Sequence, residues 1–69
     1  MKHQHKGREI IFEFQPMGHV VRVSAMDTAS LTEVVIQGPA SASQMQLQSI
    51  ATRKLEYVLK KKGIIKGES

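Results

Sequence analysis

The side chains able to do chemistry in this chain are few: His3, His5 and His19, Asp27, Glu33, Tyr57, and scattered serines such as Ser41 and Ser43. Catalysis needs a nucleophile or an acid–base pair converging in a pocket, and these residues fall into no recognisable motif for it. His19 follows a glycine at an expected turn and reads as a solvated turn residue. Asp27 opens a small polar stretch and reads as turn chemistry, while Ser41 and Ser43 read as helix caps rather than nucleophiles. Two histidines near the N-terminus, without further ligands at suitable spacing, do not make a metal site. Gly38 stands alone and is followed by Pro39, so no glycine-rich phosphate loop is present. With no cysteine there is no thiolate site and no disulfide. The chain reads as a protein that is not an enzyme and needs no cofactor or metal.

What remains is charge. Ten Lys and Arg against six Asp and Glu give a net charge of +4, and much of the excess gathers late, in Arg53, Lys54, Lys60, Lys61, Lys62 and Lys66. A basic helix can bind nucleic acid, and that is the alternative function carried by Arg53, Lys54, Lys60, Lys61 and Lys62. The three consecutive lysines also stand where cations favour the carboxyl end of a helix, so a solvated helix end explains them and nucleic acid is not the favoured partner. Lys54 falls on the wheel between Leu47, Ile50 and Val58, and is expected to lay its stem on the core with its ammonium in water.

Positioning these residues requires a fold, and 69 residues with 41% hydrophobic content have room for one core. Met1 to Gly7 carry no large apolar residue after the first and read as a tail. From Arg8 the pattern alternates, with Ile10, Phe12 and Phe14 on one face and Ile11, Glu13 and Gln15 on the other. Pro16-Met17-Gly18 reads as a turn, Val20 to Met26 as a second strand, and Asp27 to Ser30 as a second turn. The register expected for the first hairpin sets Phe14 against Val21, Phe12 against Val23 and Glu13 against Arg22. Leu31 to Gln37 is the third strand, ended by Gly38-Pro39. Ser41 with Gln44, or Ser43 with Gln46, caps a helix whose stripe is Leu47, Ile50, Ala51, Leu55 and Val58, flanked by Tyr57 and Leu59 and stopped at Gly63. The fold class is therefore α+β: a three-stranded antiparallel β-meander packed on one C-terminal helix. The domain is expected over 8–62, between a tail at 1–7 and another at 63–69.

The strings Phe12-Glu13-Phe14, Val21-Arg22-Val23-Ser24-Ala25, Gln37-Gly38-Pro39-Ala40-Ser41 and Arg53-Lys54-Leu55-Glu56-Tyr57-Val58-Leu59 carry a likeness. Over roughly Glu9 to Leu59 the chain resembles a family of short, uncharacterised alphaproteobacterial proteins, a domain of unknown function. The resemblance implies a natural domain and assigns no activity, cofactor or site residue.

One helix covers one face of such a sheet. The other face keeps Ile11, Val20, Met26 and Val35 among its charges, and monomers seldom leave such apolar surface without a use. The sequence thus points to a homodimeric protein-interaction module, joined through that face or by exchange of an element across the Asp27 to Ser30 loop. A further, unidentified protein partner is also expected. Apolar runs as short as Ile10-Ile11-Phe12 cannot span a bilayer or form a signal-peptide core, so no membrane partner and a cytoplasmic location are expected.

Overall fold

The structure is a computed structural model that describes residues 2–5 and 7–66, with side chains described from residue 7 onward. Strands β1 (Lys2–His5), β2 (Arg8–Met17), β3 (Val20–Asp27) and β4 (Thr32–Pro39) form one antiparallel sheet in chain order, and helix α1 (Gln44–Lys61) follows. The meander and C-terminal helix expected of an α+β domain are present. The segment read as an N-terminal tail instead contributes β1, which sets Lys2 opposite Ile11 and His5 opposite Arg8. Its sequence, Lys-His-Gln-His, has no apolar alternation to announce a strand. An edge strand needs none, because its pairing is made by the backbone and charged side chains suit an edge.

The strand faces are as the alternation predicts. Ile10, Phe12, Val23, Ala25 and Val34 are buried under α1, with Phe14, Val21 and Ile36 packed at the margin. The register of the first hairpin differs from expectation by two residues: Phe14 stands opposite Val23, Phe12 opposite Ala25, Gln15 opposite Arg22 and Glu13 opposite Ser24. The cause is the turn. β2 continues through Pro16 and Met17, and Gly18 takes φ +68 at the first central position of a two-residue turn with His19, the position where a II′ hairpin places glycine. A shift of two moves every partner and leaves every side chain on its face. Gly38 and Pro39 are themselves the last two residues of β4, so the strand runs past Gln37 and ends at Pro39.

Both prolines fit because of where they point. The Val35 carbonyl faces away from β3, toward Lys54, so the outward-facing residues of β4 are Glu33, Val35, Gln37 and Pro39 by alternation. Pro39 thus spends its missing N–H on the outer side of an edge strand. Pro16, opposite Val21 in β3, does the same on the outer side of β2 beyond the short β1.

Ser43, not Ser41, caps the helix: its hydroxyl accepts from the Gln46 N–H at 3.1 Å, and the Gln46 side chain accepts from the Ser43 N–H at 3.1 Å. Ser43→Ala is expected to cost about 1 kcal/mol in urea unfolding, and Ser41→Ala under about 0.5; the reverse order would place the cap elsewhere. The buried stripe runs Leu47, Ala51, Leu55, Leu59. Spacing of four residues, with small Ala51 letting the helix approach the sheet, rotates α1 relative to the expected stripe, so Ile50 is half-exposed. At the other end the Ile64 N–H donates to the Leu59 carbonyl and the Gly63 N–H to that of Lys60, a Schellman closure that turns Ile65 back onto the core.

Candidate interaction surface

The residues with chemical potential are spread apart. His19 is exposed at the hairpin turn that opens β3, and Asp27 is buried at the opposite end of that strand. Glu33 is exposed on the sheet face away from α1, and Tyr57 is exposed on the helix with the Lys61 ammonium 5.5 Å from its ring centroid. His3 and His5 stand opposite Ile10 and Arg8 on β1, with side chains outside the described residues. Among the described residues, no three His, Cys, Asp or Glu side chains form a group that could hold a metal.

Asp27 holds the turn it opens, as its sequence context predicts, and is in addition buried and paired with Arg8. Its carboxylate is 0% exposed and is held by Arg8, whose Nε donates to Oδ1 at 2.9 Å and whose Nη2 donates to Oδ2 at 2.6 Å. The Ser30 N–H and hydroxyl also donate to Oδ2, at 3.1 and 2.6 Å. The guanidinium hydrogen bond, opposed by burial and helped by Ser30, lowers the Asp27 pKa to about 2, and the same pair raises that of Arg8. This constellation is structural. It ties the start of β2 to the β3–β4 loop and fixes that loop, in which Leu31 takes φ +59. The sequence did hold a signal for it, since Arg8 and Asp27 share the strand parity of Ile10 and Val23 and so face the helix side.

The face away from α1 is built in cross-strand rows. Ile11, Met26 and Glu33 make the first; Glu13, Ser24 and Val35 the second; Gln15, Arg22 and Gln37 the third; Met17, Val20 and Pro39 the last. Ile11, Val20, Met26 and Val35 are half-buried and share this face, as the alternation predicts. They are not one patch. Apolar pairs on β2 and β3 lie at the two ends, Ile11 with Met26 and Met17 with Val20, and between them is a shallow depression of about 230 Å³ bordered by Glu13, Gln15, Arg22, Ser24, Glu33 and Val35. The Ser24 hydroxyl donates to Glu13 at 3.5 Å, while Arg22 has no acidic partner within its own row.

The basic residues lie elsewhere. Arg53, Lys54, Lys61 and Lys62 are exposed and Lys60 is partly covered, along α1 and its C-cap. The Lys54 ammonium, expected in water, donates to the Val35 carbonyl at 2.9 Å, covering an outward group of the β4 edge. No helix is long and apolar enough to cross a membrane.

A family model described as a domain of unknown function, DUF6898, matches residues 7–62. The match spans most of the chain and takes in β2, β3, β4 and α1 while leaving β1 outside it. No curated protein and no solved structure matches the chain.

Proposed function

Since the chain belongs to the DUF6898 family, whose description assigns no activity, we propose from the geometry that it is a homodimeric protein-interaction module without a catalytic role, self-associating through the sheet face that α1 leaves open. The observation that supports this is the order of rows on the β2 and β3 part of that face, apolar at both ends and polar between, with Glu33 and Val35 on β4 as the exceptions. Two copies related by a two-fold axis lying across the strands set the Ile11–Met26 row of one on the Met17–Val20 row of the other. The same operation brings each Arg22 over the second copy's Ser24, beside its Glu13. Over β2 and β3 such an arrangement is self-complementary in apolarity and charge, as an isologous contact requires, while at the β4 margin each Glu33 meets the second copy's Pro39. A small core also gains from shared burial. With no cysteine to depend on an oxidising compartment, the cytoplasm is the setting we assign it.

Sedimentation equilibrium tests the reading. The native chain is expected to dimerise, with a melting temperature that climbs with protein concentration. Val35→Lys and Arg22→Glu are each expected to weaken association at least about tenfold, since an ammonium or a like charge is forced into the contact. Joining Arg22→Glu with Glu13→Arg should restore it. A concentration-independent monomer, indifferent to these changes, would remove the proposal.

A further inference from the structure

A second surface lies at the free edge of β4, where the sheet meets the flank of α1. Gly38 has no side chain, and a Cβ there would collide with Leu47 Cδ2, so the helix seats directly on the strand at this point. The flank beside it bears Met45, 81% exposed, and Ile50, 51% exposed. Together with the edge at Gln37 to Pro39 they bound a groove of about 640 Å³, with Arg53 in its wall and no acidic residue lining it. Along the strand side of the groove the backbone N–H and C=O of Gln37 face outward, as does the N–H of Val35. The Val35 carbonyl carries Lys54. Arg53 therefore stands at one end of the groove, with Lys54 beyond its lining at Val35, and apolar side chains lie at the other.

We propose that this groove takes an extended acidic peptide, which adds as a strand to β4, seats an apolar side chain between Met45 and Ile50, and sets a carboxylate on Arg53 and Lys54. Outward amides and carbonyls at strand spacing are the complement of a peptide backbone, and the flanking pocket reads alternate side chains. Pairing at Val35 replaces the Lys54 hydrogen bond and frees that ammonium for the carboxylate. Charge selects this occupant over a second copy of the chain. In antiparallel β4 to β4 pairing about a two-fold axis with Val35 opposite Gln37, the basic end of each groove meets the second copy's apolar end, so a second copy brings Arg53 and Lys54 no carboxylate, whereas an acidic peptide does. The sheet-face dimer leaves this edge free, so the two proposals stand or fall separately.

The test uses a fluorescein-labelled heptapeptide of alternating valine and threonine ending in two aspartates, titrated by anisotropy against the full chain, with amide shifts recorded in parallel. Saturable binding is expected, with the largest shifts at Val35 and Gln37. The same peptide ending in two lysines, or N-methylated at alternate amides, should bind at least about tenfold more weakly, as should Arg53→Glu and Ile50→Asp. Both variants are at exposed positions, and an unchanged amide spectrum elsewhere shows that they fold. Absence of saturable binding up to about 1 mM, equal binding of the lysine-ended peptide, or shifts confined to Arg22 and Ser24 would overturn the proposal. So would displacement of the peptide by oligouridylate, which assigns the basic flank to nucleic acid. Sedimentation of Arg53→Glu without peptide reads the dimer independently and should match the native chain.

Discussion

Asp27→Ala is expected to abolish most of the stability of this domain. Removing one partner of a fully buried ion pair typically costs about 3–5 kcal/mol; Arg8 keeps 25% of its side chain exposed, which sets this pair at the low end, still most of what a core of this size supplies. The carboxylate is fully buried and accepts from Arg8 and twice from Ser30. Its loss strands the Ser30 donors and releases a loop in which Leu31 is held at φ +59, a conformation that costs a non-glycine residue about 1 kcal/mol or more. The expected result is a chain without a cooperative urea transition at 25 °C. A loss under about 1 kcal/mol would mean that the pair is solvated. The native chain should report the same pair through pH. Its folded pKa lies below the ordinary value near 3.8, at about 2, so its contribution is present above about pH 4 and is lost as pH falls from about 4 through about 2. The lowering corresponds to about 2 kcal/mol. Arg8→Ala should flatten that acid step, because the guanidinium is its largest cause.

The next largest effect belongs to Leu55→Ala, at about 2–5 kcal/mol. Leu55 is 0% exposed in the middle of the helical stripe, and truncation opens a cavity against a sheet face already filled by Phe12 and Val23. Ser49→Ala, exposed on the same helix, should change stability by under about 0.5 kcal/mol. Ile50→Ala discriminates between helix rotations. Half-exposed beside β4, Ile50 should cost under about 1 kcal/mol when truncated, whereas a loss equal to that of Leu55 would return it to the buried stripe.

The architecture was legible where burial forces a period. Alternation in Arg8 to Gln15 and in Val20 to Met26 marks which side chains face α1, and Ser43 with Gln46 marks a cap. Three features were not legible for identifiable reasons. β1 is made by backbone pairing, to which its polar side chains give no clue. The hairpin register is set by Gly18 alone, and a slip of two residues leaves the hydrophobic pattern unchanged, so patterning cannot detect it. The helix rotation turned on Leu59, which the wheel sets at the flank of the stripe and the structure buries, and on Ile50, which the wheel sets in the stripe and the structure leaves half-exposed. The four apolar residues of the open face could be named from parity, but their division into end rows depends on the register. Arg8 and Asp27 had been separated as a strand start and a turn; only pairing across β2 and β3 brings them together.

The account turns on self-association through the open sheet face, and isotope-filtered nuclear Overhauser contacts in a mixture of labelled and unlabelled chains test it most directly. Intermolecular contacts are predicted from the methyl groups of Ile11 and Met26 to those of the second copy's Val20 and Met17. An absence of intermolecular contacts at concentrations where the chain sediments as a dimer, or contacts confined to Met45 and Ile50 on the helix flank, would contradict it.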